Sequence, residues 1–168
     1  MKLTQKELKE LENIKSSVKN DMEHSRKINS LYEQKNQVIK YLTLMVNTKE
    51  NKELIKKFNK LDVRLKKLEE QAAFVIAKEE KQYVIVKKSI LSEKKIINKY
   101  SESEYEKRFN NLLKKTNYLD IMKQRSKLFK ELEKVNIEDS SVVYKLDSLE
   151  TEISTIETDA IRRYILEN

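Results

Sequence analysis

The residue types that usually carry catalysis are scarce in this sequence. His24 is the only histidine and there is no cysteine, so neither a zinc site nor a nucleophile–histidine pair has enough members. The carboxylate pairs Glu69/Glu70 and Glu79/Glu80 are adjacent in sequence, and adjacent residues of a helix do not converge on one point. A glycine-rich phosphate loop cannot form because the chain has no glycine. The sequence therefore predicts no enzyme site, no metal site and no cofactor.

Pairs of basic residues carry more information. Steps of seven residues, as from Lys87 to Lys94 and from Lys107 to Lys114, place such pairs on one face of a helix. Such a face is either an ordinary solvated surface or a polybasic strip, in which each cation near an anionic lipid surface adds about 1 kcal/mol. The candidate lipid-binding residues are Lys87, Lys88, Lys94, Lys95, Lys107, Arg108, Lys114 and Lys115.

The composition of the chain favours long helices to position these residues. Its 168 residues include no glycine and no proline, so few tight turns are expected. Hydrophobic and charged residues each make up 38%, which suits narrow apolar seams between helices rather than a thick core. The longest uncharged apolar run, from Ala72 to Ala77, is far shorter than the roughly 20 residues of a membrane span. We therefore expect a soluble or peripheral protein.

Heptad patterns and capping residues predict an all-α fold of three long antiparallel helices with coiled-coil packing, in one domain over 1–168. The helices are expected at about 5–46, 48–135 and 141–167, with the middle one longest and a possible kink near 100. Thr4 with Glu7 forms a capping box, and Ser101 with Glu104 forms another. Thr48 is placed to cap the second helix. The middle helix would reach roughly 130 Å if it were straight.

Charge and hydrophobicity are distributed unevenly along these helices. The formal charge is +8, but residues 48–100 carry +7 and residues 136–168 carry −5. The acidic last helix is expected to lie on the basic middle helix, either in the same chain or in a second subunit. Val84, Ile85 and Val86 fall on several faces of the middle helix, which favours contact with more than one neighbour.

Three patches of the sequence resemble one known family. They are the spacing Leu8, Leu11, Ile14, Val18, Met22 and Glu23; the dipeptide Gln82-Tyr83 followed by Lys88-Ser89-Ile90; and the run Leu149-Glu150-Thr151-Glu152-Ile153. In this order they resemble the core helices of fungal eisosome-core (Pil/Lsp-type) proteins, a branch of the BAR-domain superfamily. Relative to that pattern the chain has extra residues between about Ile97 and Lys115.

The resemblance implies a crescent-shaped homodimer of three-helix protomers. It also implies a basic surface that binds phosphoinositide-rich lipid, assembly into a higher lattice, and a peripheral cytoplasmic location on the inner face of the plasma membrane. Lys88 is the basic residue that the match supports best. Two other functions fit the residues themselves: a coiled-coil cytoskeletal or tethering scaffold without lipid binding, and a charge-driven nucleic-acid binder. The last is disfavoured because no nucleic-acid-reading module is recognisable.

Overall fold

The structure, a computed structural model, describes residues 1–46, 48–90, 99–135 and 140–168, and it is all-helical over these ranges. The absence of glycine and proline explains why the helices are long. The helices are α1 Gln5–Lys19, α2 Met22–Met45, α3 Lys49–Ile90, α4 Glu102–Lys114, α5 Tyr118–Val135 and α6 Ser140–Glu167.

Side-chain caps explain where several helices begin. Thr4 and Glu7 form the predicted capping box at the start of α1. Thr48 accepts a hydrogen bond from the Asn51 amide at 3.1 Å, and Ser101 accepts one from the Glu104 amide at 3.1 Å. Each cap satisfies an amide that has no partner within its helix. Asn47 and residues 136–139, where breaks were also predicted, lie outside the described residues.

The predicted first helix is divided in two at Asn20 and Asp21. One helix was expected over about 5–46, but the Asp21 carboxylate accepts a hydrogen bond from the His24 amide at 3.0 Å and caps α2. Aspartate competes for backbone amides in this way and therefore favours a helix start over a helix interior.

The middle region differs most from the three-helix prediction. In place of one helix over 48–135, the structure has α3, α4 and α5, and the last two run back along α3. The rings of Phe58 and Phe129 lie 6.2 Å apart, and the Tyr118 hydroxyl donates to Glu69 at 2.6 Å. Residues later in α3 therefore contact residues earlier in α5, so the two helices are antiparallel. This reversal buries apolar residues of α4 and α5 that a straight rod would leave in water.

The helices form four columns that alternate in direction. Lys15 pairs with Glu70 at 2.8 Å and Glu10 pairs with Lys78 at 3.0 Å, which shows that the column of α1 and α2 runs antiparallel to α3. The last column, α6, runs parallel to α3, because Glu69 is bonded to Ser154 and Glu80 to Arg162. The contact between α3 and α6 is the most extensive in the bundle. The acidic last helix thus lies on the basic helix of its own chain.

Apolar clusters hold the columns together along their length. One cluster joins α2, the start of α3, the end of α5 and the start of α6, around Phe58 and Ile153, neither of which has any exposed surface. A second joins α1, the second half of α3 and the end of α6, around Phe74. With 42 residues, α3 is roughly 63 Å long, which is about half the length predicted for the middle rod.

Candidate functional site

The structure gathers the described candidate residues on α3 and α4. Lys87 and Lys88 lie in the last turn of α3, Lys107 and Arg108 in the middle of α4, and Lys114 and Lys115 at its end. Lys94 and Lys95 lie outside the described residues. We call the six described cations the basic surface. All are exposed except Lys87, which is half-buried.

Two tyrosines join the α3 and α4 parts of the basic surface. The Lys87 ammonium lies 5.5 Å from the centre of the Tyr83 ring, and the Tyr83 and Tyr100 ring centres are 5.1 Å apart. The Arg108 guanidinium lies 4.6 Å from the centre of the Tyr100 ring. These cation–π and ring contacts hold Lys87 and Arg108 on the same end of the bundle.

Helix geometry turns the cations of α4 towards water. Tyr105 and Leu113 are buried against the bundle. Lys107 and Lys114 are seven residues apart on the opposite side of the helix, so they form an outward row. Arg108 and Lys115 form a second row on the flank. Within the described ranges no carboxylate lies within ion-pair distance of either row.

Cations in the interior of the bundle are paired with acidic residues. Lys66 pairs with Glu157 of α6 at 2.8 Å, and Lys35 pairs with Glu150 in a buried contact. Arg125 donates to both Asp62 and Asp147. Among the described residues, the carboxylates of α6 thus pair with cations of the bundle interior and not with cations of the basic surface.

A buried ion-pair cluster fixes α4 against α3 and α6. Arg162 donates to both carboxylate oxygens of Glu80, at 2.9 and 2.8 Å, and to Glu102 at 2.8 Å. Its guanidinium lies 3.8 Å from the centre of the Tyr105 ring. The hydrogen bonds that Arg162 donates to Glu80 raise the pKa of Arg162, and burial raises the pKa of Tyr105. This cluster positions the start of α4, the helix that carries four of the six cations of the basic surface.

Sequence reasoning did not find the Arg162 cluster. Glu80 was considered only as the neighbour of Glu79, and its partner is 82 residues away along the chain. The available signal was an acidic residue on the apolar stripe of α3, close to the uncharged run Ala72–Ala77. A charge in such a position needs a partner, but its position alone does not identify which one.

The adjacent carboxylates of α3 have separate partners. Glu69 accepts hydrogen bonds from Tyr118 and Ser154, whereas Glu70 pairs with Lys15, and burial raises the pKa of Glu70. They therefore do not form a convergent pair for acid–base catalysis. In the described part of the chain, no group of three or more histidine, cysteine, aspartate or glutamate side chains is placed to hold a metal ion.

Two clefts between the columns are lined by these same ion pairs. One, of about 480 Å³, lies at the junction of α1 and α2 and is lined in part by Lys15, His24, Glu70 and Glu157. The other, of about 470 Å³, lies between α3, α5 and α6. The charged side chains that line these clefts form ion pairs between columns. The clefts are therefore part of the bundle's internal packing.

None of the described helices combines the length and the apolar character needed to cross a membrane. Comparison with known proteins finds no matching family model, no matching curated protein and no matching solved structure.

Proposed function

We propose that this protein is a scaffold that docks on anionic lipid through the basic surface of α3 and α4. The observation that carries the proposal is the contrast between two sets of cations. Those of the interior, such as Lys35, Lys66 and Arg162, are paired with carboxylates. Those of the basic surface extend from the last turn of α3 along α4 to about the middle of the bundle, and they have no carboxylate at ion-pair distance among the described residues.

The size of the basic surface is sufficient for reversible docking. Six cations at about 1 kcal/mol each would contribute on the order of 6 kcal/mol, which corresponds to a dissociation constant in the tens of micromolar. The negative charges of Glu104 and Glu106 on the same helix oppose binding and reduce this free energy. A homodimer that presents two such surfaces to one membrane would bind more tightly through its higher effective concentration.

The finer parts of the proposal follow from the sequence resemblance. They are a BAR-like crescent homodimer of the eisosome type, a preference for phosphoinositides, and further assembly into a lattice. The cytoplasmic face of the plasma membrane is the expected location, because the cytoplasmic leaflet carries the anionic lipids that attract polybasic surfaces.

The test is co-sedimentation with vesicles that contain phosphoinositide. The double substitution Lys87→Glu with Lys88→Glu is expected to abolish sedimentation while circular dichroism shows unchanged helicity. The matched control is Lys56→Glu with Lys57→Glu, which makes the same change in formal charge on exposed residues at the other end of α3. The control should keep most of the binding. Equal losses in both variants would mean that only net charge matters, and an unaffected first variant would remove the site assignment.

A structural scaffold without lipid binding is the alternative, and it has support at the opposite end of the bundle. There Leu44 and Met45, near the end of α2, are exposed to 73% and 46%. Exposed apolar residues of this size suit contact with another protein. If the protein ignores anionic vesicles at low salt and self-associates through Leu44, the alternative is the correct function.

A further inference from the structure

The last turns of α3 concentrate exposed apolar side chains. Ile85, Val86 and Ile90 are exposed to 49%, 45% and 72%, and Tyr83 beside them to 38%. The sequence predicted that this stretch contacts several neighbours, but these side chains face outward. Over most of the described chain, large exposed apolar residues occur singly, as Val63 and Leu119 do. Four within eight residues therefore form an unusual patch.

The same stretch alternates apolar residues with cations. Val86 and Ile90 are four residues apart and lie together on one side of the helix. Lys87 and Lys88 lie between them in sequence and point in other directions. Any surface that covers this helix end must accept both aliphatic side chains and ammonium groups.

The charge of the patch identifies the class of partner. A second copy packed on Val86 and Ile90 would bring Lys87 close to its own copy, and like charges repel. An anionic lipid surface provides both environments at once, with phosphates at the headgroup level and hydrocarbon a few ångströms deeper. Lysine suits this boundary because its stem packs on apolar groups while its charge stays in the polar layer.

We propose that Val86 and Ile90 insert into the acyl boundary of an anionic bilayer while Lys87, on the flank of the same face, contacts the headgroup phosphates. This inference rests on the proposed function, and it adds a hydrophobic anchor to electrostatic docking. Burial of Ile90 strengthens binding by roughly tenfold or more. Ile90→Asn should therefore weaken vesicle affinity by that factor, and high salt should release the unchanged protein only in part.

A single introduced tryptophan tests the insertion directly, because the chain has none of its own. Ile90→Trp places the reporter in the patch. Leu44→Trp is the matched control at the opposite end, since Leu44 is exposed to 73% and Ile90 to 72%. The probe is a vesicle of phosphatidylcholine with phosphoinositide, in versions with and without lipids brominated on the acyl chains. We expect a blue shift and bromine quenching for the Ile90→Trp variant alone.

The other outcomes separate this inference from the proposed function. If both variants sediment with the vesicles but the Ile90→Trp emission stays unshifted, the insertion is overturned and electrostatic docking stands. If neither variant sediments, the proposed function itself fails. A blue shift of the Ile90→Trp variant that grows with protein concentration in the absence of vesicles would show that a second copy covers the patch, and this too overturns the inference.

Discussion

Asp62 is a carboxylate in the packed interior between α3 and α5, with 2% of its surface exposed. It accepts a hydrogen bond from Arg125, but its Oδ2 atom has no hydrogen-bond partner in the described ranges. Burial outweighs the attraction of Arg125 and raises the pKa of Asp62 to about 6. Ionisation of Asp62 therefore destabilises the folded state relative to the form in which Asp62 is protonated.

This shift predicts how stability changes with pH. Between about pH 4 and pH 6 the unfolded chain has released the Asp62 proton while the folded chain still holds it, so the folded state binds more protons. The free energy of unfolding should then fall as pH rises across this window, by up to about 3 kcal/mol from this group. Urea unfolding of the unchanged protein and of Asp62→Asn at a series of pH values measures the difference. Parallel pH profiles for the two proteins would contradict the prediction.

Arg162 is the residue whose loss should destabilise the bundle most clearly. Glu80, its bidentate partner, has 0% of its surface exposed, so removal of the guanidinium leaves a buried carboxylate without its counter-ion. We expect Arg162→Met to lower the free energy of unfolding by about 3–5 kcal/mol. Chemical denaturation followed by circular dichroism measures it.

Two further variants show whether the buried charge is the cause. Arg163→Met is the matched control, because Arg163 is the exposed neighbour on the same helix, and it should change stability little. Adding Glu80→Leu to Arg162→Met should recover much of the loss, since it removes the unpaired carboxylate. A double variant as unstable as the single one would show that packing, not charge, explains the effect of Arg162.

At the scale of helices, the antiparallel packing of α4 and α5 on α3 decides the architecture. Arg64 and Lys123 are exposed residues on the two columns, in the same register as the Asp62–Arg125 pair. Since the chain has no cysteine, spin labels on Arg64→Cys and Lys123→Cys report a single distance. Neighbouring helix axes are about 8–10 Å apart, so we expect a labelled distance below roughly 35 Å. One continuous helix would give roughly 90 Å.

A second labelled pair calibrates that measurement. Arg64→Cys and Glu79→Cys are both exposed and both within α3, so their backbone separation should be roughly 22 Å in either architecture. If this pair gives its expected distance and the Arg64–Lys123 pair gives a long one, the fold-back of α4 and α5 is contradicted.

Local features of the helices could be predicted from the sequence. The capping box of Thr4 and Glu7 and the cap at Ser101 involve residues three apart, so their geometry depends only on nearby chain. The apolar stripe of α6 is equally local: Leu146, Leu149 and Ile153 repeat at the heptad steps of three and four residues, and all three are buried.

The reversal between α3 and α4 could not be predicted in the same way. The residues from Ile90 to Glu102 contain no glycine or proline to mark a turn, and a heptad stripe on α5 fits a neighbour in either direction. The choice depends on pairings distant in sequence, such as Asp62 with Arg125 and Glu80 with Arg162. For the candidate site, sequence spacing identified the cations, but only the fold shows that α3 and α4 bring Lys87 and Arg108 to one end.

At the scale of the whole molecule, the bundle has two ends of different character. One end carries Lys87, Lys88 and the exposed Ile85, Val86 and Ile90; the other carries exposed Leu44 and Met45. Between them the interior charges are paired across the columns. This arrangement suits the proposed function, in which the basic surface faces an anionic membrane and Leu44 and Met45 stay available to a further protein.

Lysine acylation of the protein with and without phosphoinositide vesicles, read out by mass spectrometry, tests this orientation most directly. We expect Lys88, Lys107 and Lys114 to lose most of their reactivity on the vesicles, while Lys40 and Lys49 near the other end keep theirs. Protection of Lys40 and Lys49 instead, or equal reactivity of all five with and without vesicles, would contradict docking through the basic surface.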